Sequence, residues 1–276
     1  MDRDLPRARL RPMCIALTRV KLLRVRAGWR ALLAAFMVVA CVPAQAAEVR
    51  LAVATNFAEV IESIKPSFEA RTGHRLIVST GSTGKLYAQI RSGAAFDVLL
   101  AADAQTPQRL VAEGEAVAAS RFTYALGRLA LWSATPALAG ADGVATLRAG
   151  KFRHLAIANP ELAPYGAAAR EVLRAIGSWQ DLQPRLVYAQ NIGHAFSMVA
   201  SGNAELGLIA LSSLKGAGSS VAGSSWPVPA NLHAPIRQDA VLLTRGQANV
   251  GAREFLDAMK SPDVRRAIAS FGYGLE

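Results

Sequence analysis

The chain has 276 residues, a formal net charge of +11 and only two cysteines. That length forms one large α/β unit or two lobes, with enough core to fold without metal or disulfide staples. The basicity is uneven: residues 1–46 hold nine Lys/Arg and two Asp, a net of +7, which leaves +4 for the other 230 residues. That remainder shows no Lys/Arg cluster, so nucleic acid is excluded as the expected partner.

The apolar run Ala31–Val42 has 12 residues, too short to span a bilayer and right for the core of a signal peptide. It follows Arg24, Arg26 and Arg30 and leads to Ala44 and Ala46, an A-x-A cleavage pattern. The expectation is a signal peptide over 1–46, starting at Met1 or Met13, with cleavage after Ala46 and export to the periplasm. The competing expectation is a lipoprotein anchored at Cys41. Cys14 and Cys41 both lie in the leader. The mature chain therefore has no disulfide, thiol nucleophile or cysteine metal site.

The elements then alternate. Val49–Thr55 reads as a buried strand, and a helix follows with Phe57, Val60, Ile61, Ile64 and Phe68 at helical spacing. Pro66 should kink or restart that helix, and Gly73 should stop it. A strand at "HRLIVS", a helix at "KLYAQIRSG", a strand at "FDVLLAAD" and a helix at "AQTPQRLVAEG" complete a β-α-β-α-β-α run. This pattern predicts a mainly parallel sheet with helices on both faces. A second run follows after the strand-like stretch Arg121–Ala134: "HLAIANP", "YGAAAREVLRAIG", "PRLVYAQ", "IGHAFSMVASG" and "AELGLIALSS". A loop-rich stretch precedes the strand-like Pro235–Thr244, and helices close the chain. The pattern predicts two α/β lobes with a cleft between them, joined by crossings at Arg121–Ala134 and Pro235–Thr244. Lobe 1 is expected over 47–126 plus 237–276 and lobe 2 over 127–236.

Open α/β sheets bind ligands beyond the carboxyl ends of their strands. Four such junctions stand out: Thr55-Asn56, Ser79–Gly84, Pro164-Tyr165-Gly166 and Asn191-Ile192-Gly193. Each offers backbone N–H groups at a helix start, most add a hydroxyl or amide, and none offers a carboxylate. Together they describe an anion site. Taken singly, each has an ordinary reading: Asn56 and Asn191 as helix caps, Tyr165 as a surface tyrosine.

"STGSTGK" (Ser79–Lys85) resembles a nucleotide loop but fails it, since Ser79 stands where the first glycine belongs and Leu86 where the Mg²⁺-binding hydroxyl belongs. No nucleophile elbow is present. His74, His154, His194 and His233 lack zinc spacing, His194 has no acidic partner nearby in sequence, and Asp97 and Asp103 read as a turn acid and a cap. The residues give no catalytic or metal constellation and imply no cofactor.

The stretches "AVATNF", "STGSTGKLYAQIRSGAAFDVLLAAD", "SRFTYALGRLALWS", "IANPELAPYGAAAREVL", "GLIAL" and "FLDAMKSPDVRRAIASFGY" resemble, in order, the periplasmic molybdate-binding proteins of molybdate ABC importers. The resemblance covers essentially the whole mature chain. It implies a class II periplasmic binding protein fold, two lobes around a hinged cleft. It also implies capture of molybdate or tungstate, with molybdenum bound as the oxyanion, by a monomer that delivers it to an inner-membrane ABC permease. Carried over by position, the ligand residues are Thr55 and Asn56, then Thr83 with Ser82 beside it, Tyr165 through its N–H and the N–H of Ile192. Thr83→Ala is then expected to weaken binding with little loss of stability. A tyrosine that many members carry after the "LGI" strand is absent, Ala210 standing in that region, so its hydroxyl contact is expected to be missing or supplied by the side chain of Tyr165. Lys85 is expected not to be a ligand. The alternatives are a binding protein for sulfate or thiosulfate and, further away, an exported hydrolase.

Overall fold

The computed structural model describes residues 46–138, 140–216 and 221–276. The signal-peptide reading over the first 45 residues, with Cys14 and Cys41, lies outside them.

In chain order the first strands and helices are β1 (Glu48–Ala54), α1 (Ala58–Thr72), β2 (Arg75–Gly81), α2 (Thr83–Arg91), β3 (Val98–Leu100), α3 (Gln105–Ala112) and β4 (Phe122–Gly127). Next come β5 (Leu129–Ser133), α4 (Gly143–Ala149), β6 (Leu155–Ala158), α5 (Pro164–Ala175), α6 (Trp179–Leu182), β7 (Leu186–Ala189), α7 (Ile192–Ala200), β8 (Leu206–Ala210) and β9 (Ser224–Pro227). The chain closes with β10 (Ile236–Leu242), α8 (Val250–Met259) and α9 (Pro262–Ser270).

Two five-stranded sheets result, ordered β2-β1-β3-β10-β4 and β7-β6-β8-β5-β9. β1 pairs β2 and β3 in parallel, and β6 pairs β7 and β8 in parallel. One antiparallel strand is inserted in each sheet, β10 in the first and β5 in the second. The sheets are therefore mixed, although four strands of each point the same way.

The alternation of side chains along β1 shows why this sheet is covered on both faces. Val49, Leu51 and Val53 enter a core with Phe57, Ile61 and Phe68 of the α1 region and Phe255 of α8. Ala52 faces the opposite way, into a core with Leu86 and Ile90 of α2, Leu99 and Leu110. Each large side chain buried in this way stabilises the fold by roughly 1.5–3 kcal/mol.

α1 runs unbroken through Pro66, where the sequence predicts a kink or restart. Ile61, Ile64 and Phe68 anchor both halves of the helix to the core. Pro66 lies on the exposed side, where water reaches the carbonyl it leaves unpaired.

The stretch Arg121–Ala134 is two strands in different sheets, with Arg128 as the crossing. The return crossing is not Pro235–Thr244, since β10 lies wholly in the first sheet. It is the segment 228–235, between β9 and β10. Pro229 and Pro235 have no N–H for a sheet ladder, so the chain leaves one sheet and enters the other there.

Candidate functional site

Four parallel strands end at one place. β1 and β2 deliver Thr55-Asn56 and Ser82-Thr83 from the first sheet, while β6 and β7 lead to Tyr165 and Ile192 from the second. All six residues wall a single small cavity of about 10 Å³. That is room for one small species. Larger hollows exist, of about 960 Å³ on the second lobe and about 450 Å³ beside the cavity. The small cavity is set apart by its unpaired donors.

Among the described residues, two buried side-chain polar atoms lack any hydrogen-bond partner: Thr55 Oγ1 and Ser82 Oγ. Both residues line this cavity. The N–H groups of Asn56, Thr83, Tyr165 and Ile192 likewise find no acceptor among the described residues. An unmet buried donor costs about 1–3 kcal/mol, so a cluster of them in one cavity points to a bound acceptor. Three helices, α2, α5 and α7, begin at its wall. Their N-termini carry partial positive charge from aligned peptide dipoles. No lining residue carries a formal charge. The arrangement suits a small anion that accepts hydrogen bonds on every side and brings no proton of its own.

Ser82, not Thr83, holds the unpaired hydroxyl of the second loop. Thr83 Oγ1 accepts the buried Ala102 N–H at 3.0 Å. The expectation that Thr83→Ala costs little stability is therefore corrected, because the substitution strands that N–H. We expect Thr83→Ala to lower ligand-free stability by about 1–3 kcal/mol in chemical denaturation. A midpoint equal to the parent's would refute the structural role.

The Asn56 side chain is also committed elsewhere. Its Nδ2 donates to Gln238 Oε1 at 2.8 Å and to Tyr273 Oη at 3.0 Å. Only its backbone N–H remains for a ligand, and it is not a helix cap. Asn191 is one, accepting the His194 N–H at 2.9 Å. Tyr165 is not a surface residue, being 1 % exposed. Its hydroxyl accepts from Gln238 Nε2 at 3.3 Å. Lys85 is exposed and outside the cavity wall. Asp103 caps its own turn through the Thr106 N–H, and burial raises its pKa.

Burial raises the hydroxyl pKa of Tyr124 and Tyr165 well above 10 and that of Tyr273 to about 12. All three stay neutral hydrogen-bonding groups at ordinary pH.

The lobes touch around the cavity. Gly84 N–H donates to Leu162 O at 3.0 Å, and Ser212 Oγ donates to Asn56 O at 3.3 Å. A Cβ on Gly193 would lie 2.6 Å from the Thr55 methyl. A Cβ on Gly166 would lie 2.2 Å from Ala158 O, which explains how α5 starts so close to the end of β6.

Sequence reasoning finds the four junctions but misses Gln238, Tyr273 and the role of Gly193. A lone Gln in a strand reads as solvent-facing, and Gln238 lies 182 positions from Asn56. Periodicity carries no signal over that separation.

The family model for bacterial extracellular solute-binding proteins matches residues 49–274. The chain belongs to that family. This solute-binding protein is 49% identical over 233 residues to the molybdate-binding protein ModA of Azotobacter vinelandii, covering 84% of this chain and 92% of that one. It is 44% identical over 252 residues to ModA of Rhodobacter capsulatus, covering 91% and 97%. Its fold resembles the solved Azotobacter vinelandii periplasmic molybdate-binding protein with a TM-score of 0.79 and 40% identity, over 83% of this chain and 99% of that one. The two-lobed periplasmic binding protein fold is thereby established.

Proposed function

We propose that this solute-binding protein captures molybdate, and tungstate, outside the cytoplasm and delivers it to an ABC importer. The observation that carries the reading is the pair of buried, unpartnered hydroxyls, Thr55 Oγ1 and Ser82 Oγ, in an uncharged cavity. Kinship with molybdate-binding proteins supplies the identity of the anion.

The chemistry supports the choice. Molybdate and tungstate are unprotonated dianions near neutral pH. A cavity of donors alone satisfies such an ion, whereas a protonated phosphate would point an O–H at a donor. Each charge-assisted hydrogen bond contributes roughly 1.5–3 kcal/mol, enough together to hold a dianion without a salt bridge. Sulfate shares the charge and is smaller, so the fit of the closed cavity must reject it. The proposed ligands are Thr55 and Ser82 through hydroxyls, and Asn56, Thr83, Tyr165 and Ile192 through backbone N–H groups. Closure of the lobes removes water and strengthens every bond. The closed surface of a monomer is what an inner-membrane permease would recognise, after export by the leader. The role is binding rather than catalysis.

Titration calorimetry with molybdate, tungstate, sulfate and phosphate tests this. Tight binding of the first two and little response to phosphate is expected. Clear sulfate binding with no heat from molybdate or tungstate would transfer the site to the sulfate or thiosulfate alternative.

A further inference from the structure

We propose that Gln238 is a positioning residue that ties the two halves of the anion site together. Its carboxamide is fully buried and bonded at both ends. Oε1 accepts from Asn56 Nδ2 at 2.8 Å and from Tyr124 Oη at 3.2 Å, and Nε2 donates to Tyr165 Oη at 3.3 Å. Asn56 adjoins the Thr55 hydroxyl on the first lobe. Tyr165 carries one of the unpaired N–H groups of the second. One side chain therefore spans from the Thr55-Asn56 loop on the first lobe, which supplies two of the six donors, to the start of α5 on the second, which supplies one.

The backbone is shaped around this bridge. β10 changes register against β4 between Gln238 and Asp239. A bulge of that kind re-aims a side chain. Across the pair, Gly127 ends β4 just before the crossing at Arg128. A Cβ there would lie 2.4 Å from Tyr165 Oη and 2.8 Å from Gln238 Nε2. The glycine at the hinge thus leaves the space in which the Gln238–Tyr165 bond forms. Asn56 is fixed further by Tyr273, whose hydroxyl donates to Asn56 O at 2.7 Å. Swinging the lobes apart would move Tyr165 away from Gln238 and break the Nε2–Oη bond by which Gln238 reaches the second lobe. The bridge therefore favours the closed arrangement in which both sets of donors face one ion.

The proposal rests on the cavity being an anion site, and the test separates the two. Titration of the parent protein with molybdate, tungstate and sulfate decides the anion reading. The ratio of affinities between parent and variants, taken with whichever anion the parent binds, decides the role of Gln238. Gln238→Met keeps the length of the side chain and removes its donor and acceptor. It is expected to lose about tenfold in affinity, with faster dissociation and a ligand-free unfolding transition that stays cooperative. Tyr165→Phe removes only the hydroxyl and is expected to lose a smaller, several-fold amount. Combined with Gln238→Met it should add nothing, since the bond is already gone. A merely structural role would lower the ligand-free midpoint and leave affinity alone. That outcome, or full additivity of the two losses, overturns the proposal. If Gln238→Met does not fold, Tyr165→Phe alone decides: an affinity equal to the parent's overturns it. A parent that binds none of these anions overturns both readings.

Discussion

Gly193→Ala is expected to lower molybdate affinity by more than about a hundredfold, equivalent to about 2.7 kcal/mol, while the ligand-free protein stays folded. Gly193 lies in the first turn of α7, directly after Ile192, whose N–H is a proposed ligand. An added Cβ would meet the Thr55 methyl at 2.6 Å, closer than carbon atoms approach, and its next neighbour is Asn191 Oδ1 at 3.4 Å. The clash is therefore with one atom, across the cleft. The overlap is relieved by holding the lobes apart, which withdraws the Ile192 N–H from an ion seated against Thr55 and Ser82. Within α7 itself alanine is the better helix former by about 1 kcal/mol, so the thermal midpoint should not fall. Thr55→Ser removes the clashing methyl and keeps the hydroxyl. Added to Gly193→Ala, it should recover most of the lost affinity. Calorimetry on the single and double variants, with thermal unfolding of each, checks this. Parent-like binding by Gly193→Ala, or no recovery in the double variant, would show that this contact does not govern closure.

Ser82→Ala is the second large effect, an expected loss of about ten- to hundredfold in affinity for one charge-assisted hydrogen bond of roughly 1.5–3 kcal/mol. Its diagnostic feature is the opposite response of stability. Ser82 Oγ has no partner, so removing it strands nothing, and the ligand-free midpoint should equal or exceed the parent's. Thr83→Ala, one residue on, removes the acceptor of a buried N–H and should cost stability. Titration and denaturation of the two variants side by side separate a hydroxyl reserved for ligand from one that builds the wall. If Ser82→Ala loses stability and keeps affinity, the assignment is reversed.

The contrast between these neighbours marks the limit of what was readable in the chain. "STGSTGK" announces a donor-rich loop before a helix, and both hydroxyls are visible in it. Which one is unpaired depends on Ala102, whose N–H reaches Thr83 from the end of a different strand. Asn56 tells the same story. Its type and place at a strand end suit both a cap and a ligand, yet Gln238 and Tyr273, remote in sequence, occupy its amide. The crossings divide likewise: Arg128 lies within a run readable as strand, while the return through 228–235 runs through Pro-containing loop that periodicity does not resolve.

By itself the sequence determined the alternation of strands and helices, the two-lobed α/β class and the four junctions where N–H groups and hydroxyls collect without acids. These follow from local spacing, because burial period and helix starts are set by residues a few positions apart. Only the tertiary structure decided which donors remain unpaired, how near Gly193 comes to Thr55, and that Gln238 joins the two halves of the site. Those are properties of long-range contacts, in which a hydrogen bond to a remote partner either satisfies a group or leaves it for the ligand.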